Sequence, residues 1–234
     1  RLDTRNGLSN SQVNCILKDS KGFVWIGTKY GLDRYDGTRF QVYHSNLKDT
    51  TALINDFVDN IYEDIEGNLW IQQEMRYCVY NPKTERFVRD LTPWTSKAGV
   101  DGNVEKMYID KRKGLWIKAW DGKLFYYNPQ TGKKSNFAMS KDKNGLNMNV
   151  SLTSFADCGR NTIVTTNKGH LICYDGEKGR VEWRSSHIAK VRQMADQNYR
   201  LYVDKKGNYW VIGGGRCHIY IHKDKRWYDS LQDL

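Results

Sequence analysis

Five aspartates raise the question of chemistry first, because Asp19, Asp64, Asp110, Asp157 and Asp204 recur 45, 46, 47 and 47 residues apart. Carboxylates at a fixed interval could bind calcium, but Ca2+ takes about six to eight oxygen ligands. None of these loops supplies that many. The turn reading is the stronger one: in Asp-x-x-Gly the carboxylate accepts a backbone N–H two residues on, and the glycine tolerates positive φ. His218 and His222 have a spacing that serves zinc on a helix. On a strand they stand ~13 Å apart at about 3.3 Å per residue, so no metal site is expected. Cys15, Cys78, Cys158, Cys173 and Cys217 form no C-x-x-C pair and are odd in number. All but Cys158 lie in apolar segments, where a thiol packs as a small hydrophobe; one disulfide remains open in an oxidising compartment. Glycoside hydrolysis needs two carboxyl groups at a defined separation, which the spacing does not reveal. No nucleophile–base signature is present, and no cofactor is called for.

The elements that carry these residues follow from the same interval. The strings "DSKGFVWIGTKYGLDRYDG", "DIEGNLWIQQEMRYCVYNP", "DKRKGLWIKAWDGKLFYYNP", "DCGRNTIVTTNKGHLICYDG" and "DKKGNYWVIGGGRCHIYIH" align, with Trp25, Trp70, Trp116 and Trp210 at one position and Ile163 or Val164 there in the fourth unit. Each unit reads as four strands. Alternating apolar residues before the aspartate mark a first strand; the Trp segment is a second; segments ending in Tyr35, Tyr80, Tyr127, Tyr174 and Tyr220 are third strands; "TRFQVYH" and "ERFVRDL" are outer ones. Four strands per ~45 residues is the size of a β-propeller blade, whose sheet buries its faces only against neighbouring blades. The expected fold is therefore all-β, five four-stranded antiparallel blades at about 8–50, 51–95, 96–140, 141–190 and 191–234. The recurring Trp is the wedge between sheets, since a buried Trp removes ~150–250 Å² from water.

Composition agrees: 234 residues with 15 Tyr, 8 Trp, 20 Gly and only 3 Pro suit short strands and glycine turns. No apolar run approaches the ~20 residues of a membrane span. The chain opens at Arg1 rather than Met, so a leader or a larger part of a protein is expected to precede it. A net charge of +10 favours polyanionic partners, an acidic polysaccharide among them. The lysines are scattered through turns and no nucleic-acid motif appears, so nucleic acid is not an expected partner.

At "GLSNSQVNCILKDSKGFVWIGTKYGLDRYDG" the sequence resembles the two-component regulator propeller repeat, closely in the first unit and degenerately in the fourth. The resemblance implies the periplasmic sensor region of a hybrid two-component histidine kinase/response regulator that detects glycan fragments and signals across the inner membrane. It also implies seven-bladed propellers. Five units then read as a fragment of a larger ring that self-associates through its open edges or in the full-length dimer, with a closed five-bladed ring as the alternative. In such propellers the turns between second and third strands face ligand. Here those turns carry Lys29 and Tyr30; Gln73, Glu74 and Arg76; Trp120 and Asp121; Lys168; and Arg216. Trp120, an aromatic beside cations, suits a sugar face and a uronate carboxylate. Trp94, Trp183 and Trp227 also lie outside the wedge position. The expected function is oligosaccharide sensing without catalysis in this segment; the rivals are a protein-binding scaffold and a polysaccharide-degrading propeller enzyme.

Overall fold

The computed structural model describes residues 3–101, 104–138, 151–191 and 197–233. The opening of the expected fourth unit, 141–150, and 192–196 of the fifth lie outside these residues. The described residues form five four-stranded antiparallel sheets, each with its strands in chain order, as in propeller blades. They divide into two compact units, Arg1–Lys97 and Ala98–Leu234. The first unit holds two blades: β1 Val13–Lys18, β2 Val24–Thr28, β3 Gly31–Tyr35 and β4 Phe40–Tyr43, then β5 Asn60–Glu63, β6 Leu69–Gln73, β7 Arg76–Asn81 and β8 Arg86–Val88, followed by the short helix α1 Thr92–Thr95. The second unit holds three: β9 Val104–Ile109, β10 Leu115–Ala119, β11 Lys123–Tyr127 and β12 Lys134–Ala138; β13 Leu152–Cys158, β14 Asn161–Thr166, β15 Leu171–Asp175 and β16 Arg180–Ser185; then, after helix α2 His187–Val191, β17 Arg200–Val203, β18 Tyr209–Gly213, β19 Arg216–Ile221 and β20 Arg226–Tyr228. Among the described residues no helix is long and apolar enough to cross a membrane.

The repeated aspartate does more than turn the chain. In the first blade Asp19 Oδ1 accepts the backbone N–H groups of Lys21 and Phe23 at 3.0 and 2.9 Å, while Oδ2 accepts the indole N–H of Trp25 at 2.8 Å. The same indole bond joins Trp70 to Asp64 at 3.0 Å, Trp116 to Asp110 at 2.9 Å and Trp210 to Asp204 at 3.2 Å. One carboxylate thus satisfies the turn and the only polar atom of the buried wedge, a donor that is costly to leave unpaired. In the third blade the glycine stands one place later, so Lys113 takes the left-handed conformation instead (φ 63°). Burial pushes the Asp204 carboxyl up, but its hydrogen bonds from Asn208, Trp210 and Lys206 outweigh this and hold it at about 2.

Trp25, Trp70 and Trp116 are each 1% exposed. Trp25 packs on Tyr80 of the next blade with centroids 5.0 Å apart, and Trp116 lies 6.0 Å from Tyr174 of the next. Trp70 meets the edge of Trp94 of α1 at 5.4 Å, which gives that Trp a packing role. Two expectations need correction. Trp210 is half-buried rather than buried; among the described residues no sheet follows the fifth to supply the tyrosine that covers Trp25 and Trp116. Asp157 does not open a turn: it lies within β13, opposite Thr162, because its glycine comes two residues on, not three, and Gly159–Arg160 alone make the hairpin. Its carboxylate accepts the Tyr108 hydroxyl of the third blade at 2.9 Å instead, and burial raises its pKa. Ile163, not Val164, takes the wedge place: Ile163 packs with Leu201 and Val211 of the fifth blade, whereas Val164 packs with Trp116 of the third.

Candidate functional site at the hairpin tips

The tips between second and third strands are where the structure places nearly all the sequence-derived candidates. In the first unit Lys29 and Tyr30 form the β2–β3 tip, with Tyr30 59% exposed and its ring 5.4 Å from His44. At the β6–β7 tip Glu74 is exposed and left-handed (φ 57°), its N–H held by Asp59 Oδ2 at 2.5 Å, and Arg76 is exposed beside it. In the second unit Trp120 is 57% exposed at the β10–β11 tip. Next to it, Asp121 accepts the Lys123 N–H at 2.9 Å and faces its ammonium at 3.1 Å; the backbone bond, then the cation, hold its pKa low. Lys168 and Arg216 are exposed at the two remaining tips, and Arg216 borders a hollow of about 530 Å³ with Asp229, Ser230 and Gln232. Lys29, Tyr30, Glu74 and Arg76 thus belong to one unit, and Trp120, Asp121, Lys168 and Arg216 to the other.

Gln73 is the exception. Its side chain is fully buried: Oε1 accepts the Ile54 N–H at 3.2 Å and Nε2 donates to the Asn55 carbonyl. It ties the incoming connection to the second blade and offers nothing to solvent. The first blade makes the same tie with other residues. Ser9 donates its backbone N–H and its hydroxyl to the fully buried Asp33, at 2.9 and 2.5 Å, and its Oγ meets Thr28 Oγ1 at 3.0 Å. Burial raises the Asp33 pKa against the pull of those Ser9 bonds.

Ser9 and Thr28 of that clamp lie in the segment that is recognisable by family. Residues 7–30 match the model of the two component regulator propeller. Those residues carry the two-component regulator propeller repeat. The matched stretch holds Ser9 and Thr28 of the clamp, the Asp19 turn and the Trp25 wedge, and Asp33 stands three residues beyond it. Forty-eight residues are 42% identical to histidine kinase P4 of Formosa agariphila, covering 20% of this chain and 4% of that protein. The fold is similar to the extracellular domain of BT3049 of B. thetaiotaomicron, a protein ascribed to the hybrid two component systems: the TM-score is 0.55 at 17% identity, over 98% of this chain and 36% of that one. It is also similar to YCF48, solved bound to the D1 peptide, with TM-score 0.58 at 13% identity over 91% of this chain and 63% of that one. The chain spans about a third of BT3049's extracellular domain and a small part of the kinase.

The sequence pattern left three features unread. Asp229 accepts from both His187 Nε2 at 3.0 Å and His218 Nδ1 at 2.8 Å, so it ties α2 to β19, where His218 is fully buried. Arg89 donates to the carbonyls of Asp49 and Leu53 at 3.0 and 2.9 Å and so fixes the connection between the first two blades. The third is a groove lined by Trp183 and Trp227, whose position outside the wedge register was the available signal.

Proposed function

We propose that this chain is part of the extracytoplasmic, periplasmic sensor region of a hybrid two-component signalling protein, and that it binds oligosaccharide fragments without turning them over. The observation that carries this reading is the regulator propeller match at residues 7–30. The histidine kinase similarity and the fold shared with an extracellular domain of a hybrid system support it. The division of labour among aromatics supports the ligand: the framework rings of Trp25, Trp70 and Trp116 are 1% exposed, while Trp120 stands 57% exposed at a hairpin tip. An indole held out by a rigid sheet offers an apolar face to the C–H side of a sugar ring. The tip cations suit carboxylate or sulfate groups, Arg76 and Arg216 by two-point pairing.

Calorimetric titration with pectic, sulfated and neutral oligosaccharides, combined with product analysis, tests the reading. Binding without new products supports it; product formation replaces it with a polysaccharide-degrading enzyme. Absence of binding to every glycan favours a protein-binding scaffold, the reading to which the peptide complex of YCF48 lends its example.

A further inference from the structure

The fourth and fifth blades do not meet as the first and second or the third and fourth do. On the face that the first, third and fourth blades turn to their successors, the wedge position pairs with a third-strand residue, which pairs with a fourth-strand residue. In the first blade these are Trp25, Arg34 and Gln41; in the third, Trp116, Tyr126 and Ser135; in the fourth, Ile163, Cys173 and Trp183. The neighbouring fourth-strand place holds Tyr43, Phe137 and Ser185 respectively. In the first and third blades a long side chain closes the gap below the wedge. Arg34 donates to Glu85 of the next blade at 3.0 Å, and the Tyr126 hydroxyl to Glu177 of the next at 2.7 Å. The fourth blade has three smaller residues at these places, and its one added aromatic, Trp183, stands farther out.

The result is a groove of about 310 Å³ lined by Trp183, Ser185, Tyr209, Tyr220, His222 and Trp227. Trp183 stacks on Tyr209 at 5.6 Å and 21°, Tyr209 on Tyr220 at 5.5 Å and 19°, and Tyr220 leans on Trp227 at 5.4 Å. His222, exposed at the mouth, turns its edge to Tyr209 at 4.9 Å. Ser185 Oγ accepts the His187 N–H at 3.3 Å, which leaves its own hydrogen to donate. A volume near the lower end of ligand pockets, ~300–1,000 Å³, admits one or two rings rather than a long chain. Among the described residues no acidic side chain, lysine or arginine lines it, so it offers no permanent cation to a carboxylate or sulfate, and burying one there without a counter-charge is unfavourable.

We infer that this groove binds an uncharged pyranose unit of an oligosaccharide whose hydroxyls are mostly equatorial. Such a ring presents flat C–H faces to the indoles and its hydroxyl rim to Ser185 and His222. The inference rests on the glycan-binding reading and adds a site distinct from the hairpin tips and selective for neutral sugar. Cellotetraose and xylotetraose are the probes, a galacturonic acid tetramer the acidic control, and a proline-rich peptide the competitor for an aromatic groove. Calorimetry on the full chain is expected to show binding of a neutral probe, weakened roughly tenfold or more by Trp183→Ala, Trp227→Ala and the space-filling Ser185→Trp. Indole N–H resonances of the unaltered protein provide a check independent of variant folding: those of Trp183 and Trp227 should shift and those of Trp25, Trp70 and Trp116 should not. Neutral-probe binding that survives all three groove variants, or that moves neither Trp183 nor Trp227, overturns the inference and leaves glycan sensing intact. Binding only of the acidic control does the same. Binding of the peptide alone, or of nothing, overturns both.

Discussion

The bond between aspartate and wedge tryptophan can be tested as a pair, and the third blade is the place to do it, because Asp110 is 7% and Trp116 1% exposed. Trp116→Phe removes the indole donor and keeps an aromatic ring in the interface. Asp110→Asn keeps an oxygen for the backbone N–H groups of Arg112 and Gly114, now at 2.9 and 2.8 Å, but turns an amide N–H toward the indole N–H, donor against donor. Each single change therefore loses the same bond. Hydrogen bonds to charged groups contribute about 1.5–3 kcal/mol, so the double variant should be less destabilised than the sum of the singles by about that amount. Packing lost with the smaller ring cancels in the cycle. Urea unfolding followed by circular dichroism gives the four free energies. If the two changes add to within about 0.5 kcal/mol, the carboxylate is a turn former alone and the lock between turn and wedge is refuted. The corresponding cycle on Asp204 and Trp210 should give a smaller coupling, since that bond is longer, 3.2 Å, and its Trp is half-buried.

Three further outcomes are expected. Folded Asp204 stays ionised down to about 2, against 3.8 for the free group; its stabilising contribution is complete above pH ~4 and is lost as pH falls toward ~2, so Asp204→Asn should flatten the acid limb of a stability–pH curve, and parallel curves for variant and wild type would contradict this. Burial pushes the Cys78 and Cys173 thiols up to about 12, so iodoacetamide at pH 8 should leave both unmodified in the native protein and label them after unfolding; mass spectrometry showing native-state labelling of either would overturn the buried-thiol account. Gln73→Ala should cost ~1–3 kcal/mol by leaving the Ile54 N–H unpaired while glycan binding is kept, and Trp120→Ala should stay within about 0.5 kcal/mol in stability while weakening binding of acidic glycans; calorimetry and melting of the two variants together show whether framework and tip are separate.

The periodic part of the architecture was legible because it depends on local chemistry. Asp-x-x-Gly turns, the Trp six residues after four of the five aspartates and the alternation before it all survive in one dimension, and they located five sheets. The indole–carboxylate bond was hidden because it joins two ends of a hairpin, and sequence shows the spacing without showing that the side chains bend toward each other. Gln73 was misplaced for a related reason: a polar residue at a strand end reads as a tip, and only the inward turn of the Ile54–Asn55 connection reveals the backbone groups it satisfies. The degenerate fourth repeat was visible as a weak match, but its effect was not. The groove depends on which of Ile163 and Val164 faces forward and on the register of Cys173 with Trp183, and strand alternation leaves that choice open until neighbouring sheets are in place.

The lock between Asp and Trp also bears on how such a chain can grow. Both partners lie within seven consecutive residues of one hairpin, so a duplicated stretch of gene encoding one blade brings its own fastening, and no residue elsewhere has to change to receive it. Decay should then be concerted: once the tryptophan is lost the aspartate is released from its post. The fourth blade has the arrangement that such decay would leave. It has no indole at the wedge place, its glycine stands two residues after the aspartate, and that aspartate accepts from Tyr108 of the preceding blade.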